Sequence, residues 1–175
     1  MQVILVMVSS ANGKITRGNN SDIYSWTSKE DKTLFFSLIE KHNLIVMGRK
    51  TYEAAKDHIV LSPDTLRIVL TRNADIYKKD HIPGQLEFSS ETPYDLLKRL
   101  KKKGYKKMLL VGGGEINALF LKEHLVNEIH LTIEPYLFGA GQPLIAQSDI
   151  VYSLRLRQIK QLNKQGTLHL IYHVK

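Results

Sequence analysis

Three glycines directly follow a short apolar run in the second half of the chain. Residues 108–111 are four consecutive apolar residues, which is typical of a strand buried on both faces. Gly112, Gly113 and Gly114 come next, and the apolar residues of 116–125 have helical spacing. A strand that turns through glycines into a helix exposes backbone N–H groups and the positive end of the helix dipole, which favours phosphate binding. Because neither a Walker loop nor a complete dinucleotide fingerprint is present, a simple tight turn stays the alternative.

Two further strand ends carry groups that suit an anion. The apolar run 44–47 and the segment 67–70 are predicted strands. The groups that follow them are Gly48, Arg49, Lys50 and Thr51 after the first strand, and Thr71 and Arg72 after the second. Guanidinium, ammonium and hydroxyl groups donate hydrogen bonds to phosphate oxygens. Since ligands in open α/β sheets bind beyond the carboxyl ends of the strands, the pattern predicts a site for an extended anion.

An acid on the inward face of a helix is the next candidate. A Thr-x-x-Glu capping box that begins at Thr27 predicts a helix over residues 28–42. Asp31 lies three and four residues before Leu34 and Phe35, hence on the apolar face. An acid on that face needs a hydrogen-bond partner, which indicates a carboxylate at the wall of a pocket. The alternative is that Asp31 only stabilises the helix dipole.

Alternating strands and helices must position these groups. Residues 15–25 are polar and rich in Gly and Asn, which predicts a long surface loop of the kind that forms lids. A helix is predicted from Pro93 towards Gly104. The remaining predicted strands are residues 2–8, 86–88, 128–133, 154–162 and 167–174, of which the last two form a hairpin.

Composition excludes several classes of protein. The chain has 175 residues, of which 43% are hydrophobic and 24% charged, and we interpret residues 1–175 as one domain. No apolar run approaches the roughly 20 residues that cross a bilayer, and the first residues lack the pattern of a signal peptide, so we expect a cytoplasmic protein. The absence of cysteine excludes disulfides, thiolate nucleophiles and cysteine metal sites. His169 and His173 could share a strand face but would lie roughly 13 Å apart, so no metal site is expected.

The formal charge of +8 raises nucleic acid as a possible partner. Seven basic residues lie within 98–107, and without them the balance is 8 − 7 = +1. This run covers the end of a predicted helix, where cations suit the dipole, so we interpret it as a solvated face. Because Tyr105 is the only aromatic residue there, no specific nucleic acid is expected.

Three motifs resemble those of dihydrofolate reductases. Residues 46–53 resemble the Met-Gly-Arg-x-Thr-aromatic-Glu signature of that family, and residues 111–114 resemble its second cofactor motif. Leu131 and Thr132 resemble the Leu-Thr strand beside the pterin pocket. By this resemblance, Asp31 stands where those enzymes have their pterin-binding acid, and Thr132 where that acid has its hydroxyl partner.

Other stretches resemble the reductase (C-terminal) domain of the riboflavin-biosynthesis deaminase–reductase family. These are residues 9–15, 26–30 and 125–141. The two families share a fold, and each pattern is incomplete here. Gly112 stands where the riboflavin reductases usually carry a substrate-contacting Glu, and the first loop lacks the Ile-Gly of a typical dihydrofolate reductase.

The resemblance implies a dihydrofolate reductase-like three-layer α/β fold, with a mixed, mostly parallel sheet of about eight strands flanked by helices and a C-terminal antiparallel hairpin. It implies an enzyme that transfers a hydride from NADPH to a pterin-like heterocycle. The alternative is the riboflavin-pathway 5-amino-6-(5-phosphoribosylamino)uracil reductase. The resemblance also implies a possible homodimer. The implied catalytic residues are Asp31 and Thr132, and the implied substrate contacts are Val8, Trp26 and Phe35. The implied cofactor contacts are Lys14, Ile15, Gly48, Arg49, Lys50, Thr51, Thr71, Arg72, Val111, Gly112, Gly113, Gly114, Glu115 and Ile116.

Overall fold

Eight strands form one sheet in the computed structural model, which describes residues 1–147, 149 and 151–175. In chain order they are β1 (Gln2–Ser10), β2 (Leu44–Gly48), β3 (Leu66–Leu70), β4 (Leu86–Ser89), β5 (Lys107–Leu110), β6 (Glu128–Glu134), β7 (Leu154–Gln161) and β8 (Leu168–Val174). Their order across the sheet is β4-β3-β2-β5-β1-β6-β8-β7. Strands β1 to β6 are parallel, whereas β8 is antiparallel to both β6 and β7. The predicted mixed sheet with its C-terminal hairpin is confirmed.

Helices cover both faces of the sheet. They are α1 (Lys29–Glu40), α2 (Arg49–Ala55), α3 (Pro93–Lys102) and α4 (Gly114–Lys122). Side chains of α1 and α2 pack with one buried cluster of strand residues, and those of α3 and α4 pack with the cluster on the opposite face. The central strands β2 and β3 are buried along their whole length, which explains their nearly continuous apolar sequence. The three-layer architecture agrees with the expectation.

Helix α1 begins one residue later than the capping box at Thr27 predicts. Ser28 is the N-cap, and its Oγ atom accepts a hydrogen bond from the backbone N–H of Asp31 at 3.2 Å. Thr27 and Ser28 are both residue types that cap helices. Because Thr27 is buried, the N-cap is Ser28. The Ser28 N–H is itself held by the Glu134 carboxylate at 2.7 Å. Asp31 therefore occupies the third position of the helix.

The long loop after β1 is fixed to a second loop. Backbone hydrogen bonds run from Ala11 to Tyr136, from Ile15 to Gln142 and from Gly18 to Ala140, at 2.8 to 2.9 Å. The side chain of Asn12 adds bonds to both backbone groups of Phe138. The segment predicted as a lid is thus tied along its first half.

Strand β7 forms one edge of the sheet. All eight of its residues are exposed, and its pairing with β8 shifts between Leu156 and Gln158, as at a β-bulge.

Among the described residues, no helix has the length and apolar character required to cross a bilayer.

Candidate active site

One continuous cleft lies beside α1 and α2 and extends past the strand ends to α4. Its volume is about 2460 Å³. It is lined by the turn at Gly48 after β2, by the turn at Gly113 and Gly114 after β5, and by Asp31 and Thr132. Pockets for one small ligand typically measure about 300–1,000 Å³. The cleft therefore has room for two ligands side by side.

The two turns at the strand ends are joined to each other. The Gly48 N–H donates a hydrogen bond to the Gly112 carbonyl at 2.8 Å. A Cβ atom on Gly48 would lie 2.7 Å from the Ile116 side chain, and one on Gly112 would lie 2.6 Å from the Met7 sulfur. Gly112 also has a φ of +87°, which disfavours other residues. Close packing against α4 thus explains Gly48, and close packing against β1 together with the positive φ explains Gly112.

Helix α4 begins without a side-chain cap. Its N-cap is Gly113, which has no side chain, and among the described residues no other side chain bonds to the first N–H groups, in contrast to α1 and α3, which are capped by Ser28 and Thr92. A Cβ atom on Gly113 would point towards the Thr51 hydroxyl at 3.4 Å and Ile15 at 3.9 Å. Unoccupied N–H donors, a nearby hydroxyl and space left by glycine are suited to the phosphate of a dinucleotide.

The charged groups around these turns are exposed, and most of them are paired. Arg49 pairs with Glu53 at 2.7 Å, and Lys50 pairs with Glu115 at 2.9 Å. Lys50 lowers the pKa of the Glu115 carboxyl, and Arg72 and Arg49 add to this effect. Arg72 has no salt bridge among the described residues. Three cations thus surround two carboxylates, leaving positive charge for an anion.

Asp31 is buried at the opposite part of the cleft. It is only 7% exposed, and its side chain lies beside that of Thr132. Burial raises the pKa of the Asp31 carboxyl to about 6, the Thr132 hydroxyl lowers it, and the nearby Glu134 raises it. The inward placement predicted for Asp31 is confirmed. The carboxyl titrates close to neutrality, as acids and bases in active sites often do.

Glu134 fixes the position of Asp31, a role that sequence reasoning missed. It is 2% exposed and accepts hydrogen bonds from the Ser28 N–H and the Thr167 hydroxyl, both at 2.7 Å. These bonds fasten the start of α1 to β6 and to the residue before β8. The signal was present, because the alternation that places Thr132 inward also places Glu134 inward.

Almost all of the predicted site residues line this cleft; the exceptions are Trp26, Lys14 and Gly112. Trp26 packs edge-on against Phe138, with ring centroids 5.1 Å apart, in a small cluster that also contains Val8. The Lys14 backbone N–H bonds to the Ser10 hydroxyl at 3.0 Å. Gly112 lies where the two turns are connected, and its carbonyl accepts the hydrogen bond from the Gly48 N–H. The apolar predicted residues that do line the cleft are Val8, Ile15, Phe35, Val111 and Ile116.

Two buried polar residues of the cleft were not predicted. Arg67 on β3 is 8% exposed, and its Nη1 atom has no hydrogen-bond partner among the described residues. Burial lowers the pKa of its guanidinium. His169 on β8 is 5% exposed and also lines the cleft. An arginine inside the apolar run of β3 was a visible signal, whereas His169 was considered only as a metal ligand.

Residues 1–168 match the family model described as the RibD C-terminal domain. Over 178 aligned residues, the chain is 26% identical to the uncharacterized protein YwjB of Bacillus subtilis (strain 168), which covers 97% of each chain.

Solved structures have the same fold. A pyrimidine reductase-like protein from Corynebacterium diphtheriae superposes with a TM-score of 0.79 at 16% identity, covering 99% of this chain and 92% of that one. The dihydrofolate reductase of Enterococcus faecalis, complexed with NADP(H) and RAB-propyl, superposes with a TM-score of 0.68 at 19% identity, covering 99% and 96%.

Proposed function

The chain belongs to the RibD C-terminal domain family and is an oxidoreductase, and from this premise we propose that it transfers a hydride from NADPH to a pterin-like heterocycle. One observation carries the proposal. The buried carboxyl of Asp31, beside Thr132, lines the same continuous cleft as the uncapped start of α4 and the Thr51 hydroxyl. A cofactor and a heterocycle can therefore lie in contact.

The glycine turns and their neighbours would hold NADPH. The N–H groups that begin α4 and the hydroxyls of Thr51 and Thr71 suit the pyrophosphate. Arg72, with Arg49, suits the 2′-phosphate that distinguishes NADPH from NADH. When bound, NADPH supplies the hydride, and the protein supplies orientation and electrostatics.

Asp31 would hold the heterocycle and favour its protonated form. Reduction of a C=N bond adds a hydride to carbon and a proton to nitrogen. The Asp31 carboxyl has a pKa of about 6, so at neutral pH it is largely ionised in the free enzyme and stabilises a positive charge on the ring. The Thr132 hydroxyl orients the carboxyl, and Phe35 packs on the ring.

Arg67 would bind an acidic group of the substrate. Its guanidinium is buried in the wall of the cleft and has no carboxylate partner among the described residues. A buried cation without a counter-charge is unfavourable, so an anionic ligand group there gains a strong interaction. Dihydrofolate carries carboxylates, and a ribosylamino-pyrimidine phosphate carries a phosphate.

The second candidate function is reduction of 5-amino-6-(5-phosphoribosylamino)uracil. The family match favours it, as does the pyrimidine reductase-like structure of C. diphtheriae. Gly112 argues against it, because the riboflavin reductases that this chain resembles usually have a substrate-contacting Glu at that position. Both candidates use the same cofactor groups.

The test is NADPH oxidation by the purified protein with each of the two substrates. We expect turnover of dihydrofolate, and turnover of only the uracil phosphate would establish the second candidate. Arg67→Gln should raise the KM of the reduced substrate by about tenfold or more, because a charge-assisted bond is lost, without changing the KM of NADPH. Arg155→Gln on the exposed strand β7 is the matched control and should behave as the wild type. Absence of turnover with both substrates would contradict the proposal.

The single-domain interpretation, the cytoplasmic location and the homodimer stay predictions.

A further inference from the structure

His169 lies directly beside Thr132 in the wall of the cleft. In the antiparallel pairing of β6 with β8, Thr132 is opposite His169. Directly opposite residues project from the same face of a sheet, with Cβ atoms about 4.5–5.5 Å apart. Because Thr132 contacts Asp31 on that face, His169 extends the polar surface of the cleft by one side chain.

The imidazole of His169 has an unused hydrogen-bonding capacity. The residue is 5% exposed, and its Nδ1 atom is buried without a partner among the described residues. Its Nε2 atom makes no hydrogen bond among the described residues and, unlike Nδ1, is not fully buried, so Nε2 is the ring nitrogen that a ligand in the cleft can reach. Polar groups in protein interiors normally have partners, so an Nε2 atom without one in the wall of a cleft is available to a ligand.

His169 is also neutral at physiological pH. Burial, together with the nearby His130 and Lys160, lowers the pKa of its imidazole to about 4. The ring of His130 lies 5.4 Å away and bonds to Glu128 at 2.8 Å. A neutral imidazole can accept a hydrogen bond and adds no positive charge beside a protonated heterocycle.

We propose that His169 is a substrate-binding residue, whose Nε2 atom accepts a hydrogen bond from an N–H or amino group of the heterocycle next to the edge held by Asp31. The proposal rests on the proposed function. It assigns the ligand as a nitrogen heterocycle with N–H donors on two neighbouring edges.

The test compares three variants in turnover and in binding. His169→Phe keeps a planar ring but removes the acceptor, and should raise KM for the heterocycle by about tenfold, with kcat and the NADPH affinity little changed. His169→Gln keeps an acceptor and should stay within about threefold of the wild type. His173→Phe makes the same change four residues along β8, outside the residues that line the cleft, and is the control.

Stability separates this role from a structural one. Because His169→Phe removes a buried unpaired nitrogen, its Tm should equal or exceed that of the wild type. An unchanged KM for the heterocycle would overturn the proposal, whatever the Tm of the variant.

Calorimetric titration of 2-amino-4-oxopteridine into the NADPH-saturated protein distinguishes this proposal from the proposed function. If the wild type turns over no substrate but binds this probe, and His169→Phe binds it about tenfold more weakly, the role of His169 stands while the reductase activity fails. Turnover by the wild type with equal binding by His169→Phe overturns the role alone. Absence of both binding and turnover overturns both.

Discussion

The two halves of the cleft hold their polar groups in opposite ways. In the turn region, which we define as residues 48–51, 71–72 and 112–114, the charges are exposed and mostly paired with neighbouring carboxylates. In the buried region, defined as Asp31, Arg67, Thr132 and His169, the side chains are nearly inaccessible, and a nitrogen atom of Arg67 and one of His169 have no hydrogen-bond partner among the described residues. Exposed ion pairs contribute only about 0–1 kcal/mol, so a phosphate can replace a carboxylate there at little cost. Buried polar groups without partners reduce stability until a ligand binds.

The largest effect should come from the buried region. Asp31→Asn keeps the size of the side chain but removes the charge that favours a protonated ring. We expect kcat/KM for the heterocycle to fall roughly 10²-fold or more, while NADPH affinity stays within a few-fold. The wild-type kcat/KM for the heterocycle should also fall as the pH rises above about 6. The reason is that the heterocycle and the Asp31 carboxyl must together hold one proton in the productive complex. Steady-state kinetics across pH measure both effects, and a fully active variant would reduce Asp31 to a helix-dipole acid.

The same substitution should stabilise the protein. The Asp31 pKa is raised from 3.8 to about 6, so protonation favours the folded state below pH 4, and this contribution is lost as the pH rises through 6. At pH 7 the buried charge costs about 3 kcal/mol, which Asp31→Asn avoids. Denaturant unfolding at pH 7 should show the variant to be more stable than the wild type, and at pH 4 the difference should nearly vanish. Equal stability of the variant and the wild type at both pH 7 and pH 4 would indicate that the Asp31 carboxyl is solvated.

A smaller effect is expected in the turn region. Arg72→Ala should weaken NADPH binding by about tenfold, or 1.4 kcal/mol, and NADH binding much less, because only NADPH carries the 2′-phosphate. Arg49→Ala should show the same preference to a lesser degree, since Arg49 must first leave Glu53. Both losses should shrink at high salt, unlike that of Asp31→Asn. Titration of each cofactor measures this, and equal losses for NADPH and NADH would contradict it.

The smallest effect should come from outside the cleft. Lys101, Lys102 and Lys103 are exposed at the end of α3, whereas Arg99 bonds to Glu91 at 2.7 Å. Replacing the three lysines by Gln should leave kcat and cofactor affinity unchanged, because solvated charges of this kind make no specific contacts. Binding to DNA and RNA is the accompanying measurement. A submicromolar affinity that is lost in the variant would support a nucleic-acid partner instead.

The parts that sequence reasoning predicted correctly are those with local signals. Apolar runs identify the buried strands, and glycines after two of them identify the joined turns, because the side chains of Ile116 and Met7 leave no room for a Cβ atom there. The helical spacing of Asp31 relative to Phe35 places the acid on the inner face without knowledge of the rest of the fold.

The missed parts depend on contacts between distant segments. His169 enters the cleft only through the register of β8 on β6, and a shift of one residue would turn it to the opposite face. Ser28 rather than Thr27 caps α1, and Glu134, more than a hundred residues away, holds the Ser28 N–H group. Trp26 packs behind Val8 against Phe138, a partner that no local pattern indicates.

The exposed edge strand β7 bears on how copies of this chain avoid growing into fibrils. An open strand offers free N–H and C=O groups on which another strand can add without limit. Here Arg155 and Lys160 place like charges on the edge strand, and the shift between Leu156 and Gln158 interrupts its straight course. A second identical edge would meet both repulsion and mismatch, so the sheet ends at eight strands.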